Sequence, residues 1–415
     1  MSWFHHIIRI TIAGILLLTA TMAKAQISDS VVRIGVLNDQ TGVYSDHCGA
    51  GSIVAARLAI EDANGRVLGK PVDIVFADHQ NKPDIAAARA REWFDEGKVD
   101  MAIDFCNSAV ALAVEHVARE KNRIAIATAV ATADFTGKAC SPTAIAWTHD
   151  SYSLTTTLAR SLVRRGLDTW FFITVDYTFG HSLEADAAAS VRANGGKVLG
   201  SVRHPLNTPD FSSYLLQAKA SGAKVVALAN GGADMRNASK QAAEFGIVRG
   251  GQSVVSLLAF ITDIDSLGLA ATQGLPFVTA FYWDRNDETR AWSRRFFERH
   301  GKMPSQSQAS VYSAIRHYLR AIEAAGTDET TAVMAKMQAL PVDDLFSHGG
   351  IVREDGRMIH DLYLVQVKSP AEQRYPWDYY RVLETVPADQ AFRSLQDGGC
   401  PLVMQAQSIK NSEKR

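Results

Sequence analysis

Short apolar runs alternate with amphipathic stretches along most of this chain. Residues 31–37 carry Val31, Val32, Ile34, Val36 and Leu37, a β-branched run of the kind that forms a buried strand. A polar, glycine-bearing loop follows over 38–51, and then Ile53, Ala56 and Ile60 recur at helical spacing. The same grammar predicts strands at 72–77, 99–104 and 123–128, with helices at 83–96 and 109–120. Pro83 in a first helical turn and the alanines behind it support the first of these helices. Residues 142–148 read as an extended exit from this unit.

A second series begins near residue 150. Leu154, Leu158 and Leu162, four apart, mark a helix over 152–165. Strands are predicted at 170–175, 197–202, 224–229 and 253–260, separated by helices. Strand, polar loop and helix in repetition make doubly wound parallel sheets. In such folds ligands sit beyond the carboxyl ends of the strands. The last third changes rhythm: a strand at 277–282, helices at 287–299, 305–325 and 330–340, then extended segments 351–353 and 361–368. The turn Glu354-Asp355-Gly356 between these segments predicts a hairpin. Residues 401–415 read as a polar, disordered tail.

The first 25 residues predict an export signal instead of a structural element. Arg9 precedes an apolar stretch over 10–20, too short to span a bilayer, and Ala23-Lys24-Ala25 is an A-x-A cleavage pattern. Gln26 is then the mature start and the periplasm the expected location. The rest is too long for a single core and suits two domains. A formal net charge of −1 argues against a nucleic-acid partner, which favours a basic surface. The loop 41–49 is neither GxGxxG nor a P-loop, so no nucleotide is implied, and no cofactor is expected. The histidines lack any spaced metal set, and Gly180-His181-Ser182 is not a nucleophile elbow, so neither a metal site nor an enzyme is expected.

The segments VVRIGVLNDQTGVYSD, DHQNKPDIAAARAREWFDE, NSAVALAV, ATADFTGKACSP and DYTFGHSLEADA occur in order along the chain. Together they resemble the exported solute-binding proteins of the branched-chain amino-acid type, the receptor components of ABC importers. With PWDYYRVL and GGCPLV, the pattern looks most like a subgroup that takes up aromatic carboxylates. The resemblance implies a type I periplasmic binding protein: two α/β lobes, three crossovers, and a small molecule trapped between them by hinge closure. It also implies membrane permease partners, with a monomeric receptor. A sensor that signals by the same closure is the alternative. The expected division is 30–148 and 281–348 in the first lobe, 149–280 and 349–400 in the second. The crossovers are then expected near 148–150, 280–282 and 348–350.

Within that frame Tyr44 and Cys48 correspond to ligand-facing positions, as do Val130, through its backbone, and Thr132. Asn107 and Ser108 open a helix, where a capping role and a carboxylate site are both consistent; a carboxylate held by these two, with Ala109 and backbone N–H groups, is the preferred expectation. Thr132 has a capping alternative. Tyr177 and Phe179 offer aromatic faces to a planar group. Asp234 either receives a ligand amine or caps its helix. The apolar surroundings of Phe260, together with no acid clearly placed opposite an ammonium, favour a carboxylate lacking the amine. The polar trio Asp46-His47-Cys48 is where ligand preference is expected to be set. Four cysteines in an exported chain make disulfides plausible. Cys140 and Cys400, both just ahead of prolines, are expected to bond; whether Cys48 and Cys106 pair is left open.

Overall fold

The computed structural model describes residues 26–405 and 408; the expected signal segment lies outside the described residues. The first sheet has the order β2-β3-β1-β4-β5-β6, built from β1 (Val32–Asn38), β2 (Arg66–Val67), β3 (Lys70–Asp78), β4 (Met101–Asp104), β5 (Ile124–Ala127) and β6 (Ala144–Ala146). All its pairings are parallel except β2 with β3. Helices cover both faces, which is why β4, β5 and β6 are buried throughout and read as unbroken apolar runs. The period of two is visible along β1. Ile34 and Val36 enter one core and Leu37 the other. Gly35 shares the Leu37 face, where an added Cβ would lie 2.5 Å from the Trp93 ring.

The second sheet is parallel, in the order β10-β9-β7-β8, from β7 (Thr169–Val175), β8 (Lys197–His204), β9 (Val225–Ala229) and β10 (Ser253–Ser256). Next in the chain comes β11 (Pro276–Thr279), which packs beside β10. The chain then returns to the first lobe. Helices Asp287–His300 and Gln306–Ala325 pack on the helix Gly49–Glu61. The alanines of that shorter helix, Ala55, Ala56 and Ala59, are fully buried and allow close approach. Arg295 clamps Asp62 through two hydrogen bonds of 3.0 and 2.7 Å.

The third crossover differs from expectation. Residues 348–350 do not leave the first lobe; they begin β13 (His348–Val352), which pairs with β12 (Val342–Asp343) and β14 (Met358–Ile359). The hairpin turn is where expected, but its second arm is β14, with Val352 opposite Met358. Arg357 bridges to Ala146 of β6 and donates from Nη1 to the His149 carbonyl, 3.2 Å away. Only at 360–361 does the chain cross, and β15 (Leu362–Val367) then pairs with β11 and β16 (Tyr380–Val386). His360 pins this crossing, its Nε2–H donating to the Thr148 carbonyl of the first crossover at 2.7 Å.

Cys140 and Cys400 are disulfide-bonded, 260 residues apart in sequence, with Cα atoms 5.6 Å apart. The tail therefore does not start where expected. Residues 401–405 are helical, and Val403 is buried against the disulfide. Among the described residues no helix is long and apolar enough to cross a membrane.

Candidate functional site

The carboxyl ends of β1, β4 and β5 face those of β7, β9 and β10 across a closed cleft. The loop after β1 is shaped by Asp39, whose carboxylate accepts from the N–H groups of Gly42 and Tyr44 at 2.7 and 2.9 Å and from Asn81 Nδ2 at 2.7 Å. This holds Tyr44 inward. The end of β4 and the loop after it carry three consecutive non-glycine residues in the left-handed region: Asp104, Phe105 and Cys106, with φ of 97, 70 and 36°. Such backbone persists only where its surroundings fix it. Here Asn38 Nδ2 and Thr128 Oγ1 hold the buried Asp104 carboxylate at 2.8 and 2.5 Å, and a Cys48–Cys106 disulfide ties the two loops together.

Between the lobes lies a narrow cavity of about 10 Å³, room for about one water. From the first lobe Tyr44, His47, Cys106, Ser108 and Ala129 line it; from the second, Tyr177, Phe179, Gly231, Leu258 and Phe260. No acidic, lysine or arginine side chain is among them. His47 is fully buried, stacked on Phe260 with ring centres 3.8 Å apart, and its Nδ1 has no partner. Burial, with Arg236 nearby, pushes its imidazole down to about 3, so the ring is neutral at ordinary pH. The Tyr44 and Tyr177 hydroxyls meet across the cleft at 2.6 Å.

Of the residues expected to bind ligand, Tyr44, Ser108, Tyr177, Phe179 and Phe260 line the cavity. The others are engaged elsewhere. Cys48 is consumed by the disulfide and fully buried. Asn107 caps its helix, Ser108–Glu120, with Oδ1 accepting from Ala109 and Val110 N–H at 3.0 and 3.1 Å. Those amides, Ala109's included, are therefore not free for a carboxylate. Val130 is expected to act through its backbone; its side chain belongs to the first-lobe core, and its neighbour Ala129 lines the cavity. Thr132 caps the short helix Ala133–Phe135 and meets Ser182 Oγ of the other lobe at 3.0 Å. Asp234 accepts from the Asn207 and Thr208 amides at 3.0 and 2.8 Å, which occupies both its oxygens; burial raises its pKa to about 6.

Cys106, Ala129, Gly231 and Leu258 line the cavity without having been expected among the ligand-binding residues, and His47 lines it as a member of the trio expected to set ligand preference. His47 had a signal, since it sits in the polar trio of the first loop. The other members of that trio do other work. Asp46 pairs with Lys302 at 3.1 Å and, across the cleft, with Arg236 at 2.9 Å.

Closure depends on one small residue. The Ala233 N–H donates to the Val43 carbonyl at 3.1 Å, and Gly232 beside it has φ +59°. A Cβ there would fall 2.3 Å from that carbonyl oxygen. Gly232→Ala is expected to prevent full closure and to cost about 1 kcal/mol in the positive-φ backbone besides. Solution scattering should report a larger radius of gyration than wild type; an unchanged radius would refute the steric block.

The periplasmic binding protein family model Peripla_BP_6 matches residues 31–373. A periplasmic binding protein from Burkholderia mallei is similar in structure: 45% identity, TM-score 0.88, covering 90% of this chain and 99% of that one. A Burkholderia xenovorans LB400 protein, described as a branched chain amino acid ABC transporter periplasmic ligand-binding protein, shares 41% identity at TM-score 0.80, over 89% and 99% of the two chains. "Leu/Ile/Val-binding protein homolog 6" of Brucella abortus (strain 2308) is 26% identical over 220 residues, 53% of this chain. The match spans about half the length of such curated relatives, 55%.

Proposed function

This chain belongs to the periplasmic binding protein family, and on that premise we propose that it captures a small aromatic carboxylate between its lobes and delivers it to an ABC permease. The observation that carries the ligand class is the cavity wall. Tyr44, Tyr177 and Phe179 supply aromatic faces suited to a planar ring, and no carboxylate is there to pair with an ammonium. Ser108 is the donor for the ligand's carboxylate. Its Oγ accepts from Thr132 N–H at 3.3 Å, which leaves the hydroxyl proton free to donate, and it opens a helix whose dipole favours negative charge.

Binding makes and breaks no bond in this reading. Tyr44–Tyr177, Val43–Ala233 and Asp46–Arg236 join the lobes in the closed form, and ligand selects that form by touching both walls at once. The cavity as it stands has room for about one water, so a ring enters only when the lobes part and is held by a closure less complete than this one. The description of the xenovorans relative favours a second reading, a branched-chain amino acid, which Leu258 and Phe179 would suit on their apolar side.

A thermal-shift panel separates the two. Benzoate and hydroxybenzoates are expected to raise the melting temperature in a concentration-dependent way, by mass action on the folded state. Leucine and valine are expected not to. A shift with leucine and none with any benzoate would reverse the assignment.

A further inference from the structure

Behind the Phe260 ring lies a second narrow space of about 10 Å³, again room for about one water. Phe260 lines both spaces and is the partition between them. The far chamber differs in character from the near one. Thr279, Tyr282, Gln306 and Tyr380 line it, and two of their polar groups, Gln306 Nε2 and the Tyr380 hydroxyl, have no hydrogen-bond partner. Both residues are deeply buried, 3% and 4% exposed. Gln306 Oε1 is already taken by the Ala280 N–H at 2.7 Å. The amide lies beside the buried His149 ring, whose two nitrogens also lack a partner. Unpaired buried donors are costly, and a fold retains them where something else completes them.

We propose that the two chambers are one bipartite site: with Phe260 swung aside, the far chamber takes a neutral hydrogen-bonding substituent at the end of the aryl carboxylate ring remote from the carboxylate. This rests on the aryl-carboxylate reading above and deepens it. Gln306 Nε2 donates to the substituent, and the Tyr380 hydroxyl donates to it or accepts from it. A hydroxyl or carbonyl fits; a second carboxylate does not. Burial, then the neighbouring Tyr282 and Asp263, keeps the Tyr380 phenol protonated, and no cationic side chain lines the chamber to pair with an anion. The ligand is therefore polar at both ends and charged at one.

Titration calorimetry with benzoate, 4-hydroxybenzoate and terephthalate tests this on wild type and Tyr380→Phe. Tyr380 is the better position to change, because Gln306 also holds the Ala280 amide. Wild type is expected to prefer 4-hydroxybenzoate over benzoate by about 10-fold, with terephthalate weakest. Tyr380→Phe is expected to lower that preference by about 3- to 10-fold, the loss of one hydrogen bond. Its melting temperature without ligand should stay level or rise, since the hydroxyl has no partner in the fold. Benzoate binding without preference for the 4-hydroxyl, or a preference equal in both proteins, would overturn the bipartite site and leave one water as the occupant. A lowered melting temperature in the variant would overturn it too, by making the hydroxyl part of the fold. Failure of every benzoate to bind wild type would instead overturn the aryl-carboxylate reading, and this inference with it.

Discussion

Arg236→Ala is expected to destabilise the protein by about 3–5 kcal/mol, the cost of stranding a buried carboxylate without its partner. Arg236 donates from Nη1 to Asp263 at 2.7 Å, and the Asp263 side chain is 1% exposed. Its other amino group reaches Asp46 of the first lobe at 2.9 Å. Asp46 keeps Lys302 when the arginine is gone; Asp263 keeps only the Phe260 N–H, at 3.0 Å.

The loss should depend on pH, and its sign follows from Asp263. Burial already raises that carboxyl to about 6 despite Arg236, which pulls it down. Without the arginine it rises further, so at pH 8 the variant must either bury a bare charge or bind a proton against the gradient. At pH 5 the acid is neutral in the variant and mostly so in wild type, and the gap between the two proteins narrows. Denaturant titrations of both proteins at the two pH values test this. An equal gap at each would mean that lost packing, not the stranded charge, sets the cost. Ligand affinity should fall as well, because the same guanidinium joins the lobes.

Replacing Cys140 and Cys400 together with alanine is expected to lower stability by about 2–5 kcal/mol, mainly by releasing the unfolded chain. The loop they close is long, 260 residues, and loop closure is where a crosslink acts most on unfolded-state entropy. Val403, buried against the bond, should lose its site as well. The measurement is the urea midpoint of the double variant against oxidised wild type, and coincident midpoints would refute it.

The fold was largely legible because its signal is local. A β-branched run, a polar loop and an amphipathic helix each show within a short window, and their alternation dictates the layered sheets. The third crossover was not legible, because choosing which sheet takes 348–359 is a long-range decision. Gly349-Gly350 looks like a hinge in sequence, yet Gly350 pairs with Val342, and Arg357 commits the hairpin to the first lobe. The site followed the same rule. Aromatic residues on the predicted loops reached the cavity, since large apolar side chains at strand ends have few other places to go. Short polar side chains were harder to assign, because their partners lie elsewhere in the chain or are backbone groups. Asn107 took two amides of its own helix, Asp234 took amides 27 and 26 residues away, and Thr132 crossed to Ser182. Val130 and Ala129 show how finely an irregular loop divides its neighbours, one side chain entering the core and the next the cavity wall.

The bond between Cys140 and Cys400 also changes what the molecule is mechanically. The whole second lobe, together with the returning helices of the first, lies on the chain between these two cysteines. Pulled at Gln26 and Met404, the oxidised protein yields only the stretches outside its two disulfide loops, 26–48, 106–140 and the run beyond Cys400. Everything between is shunted out of the line of force, so load on the termini passes through the first lobe and bypasses the jaw that opens and shuts.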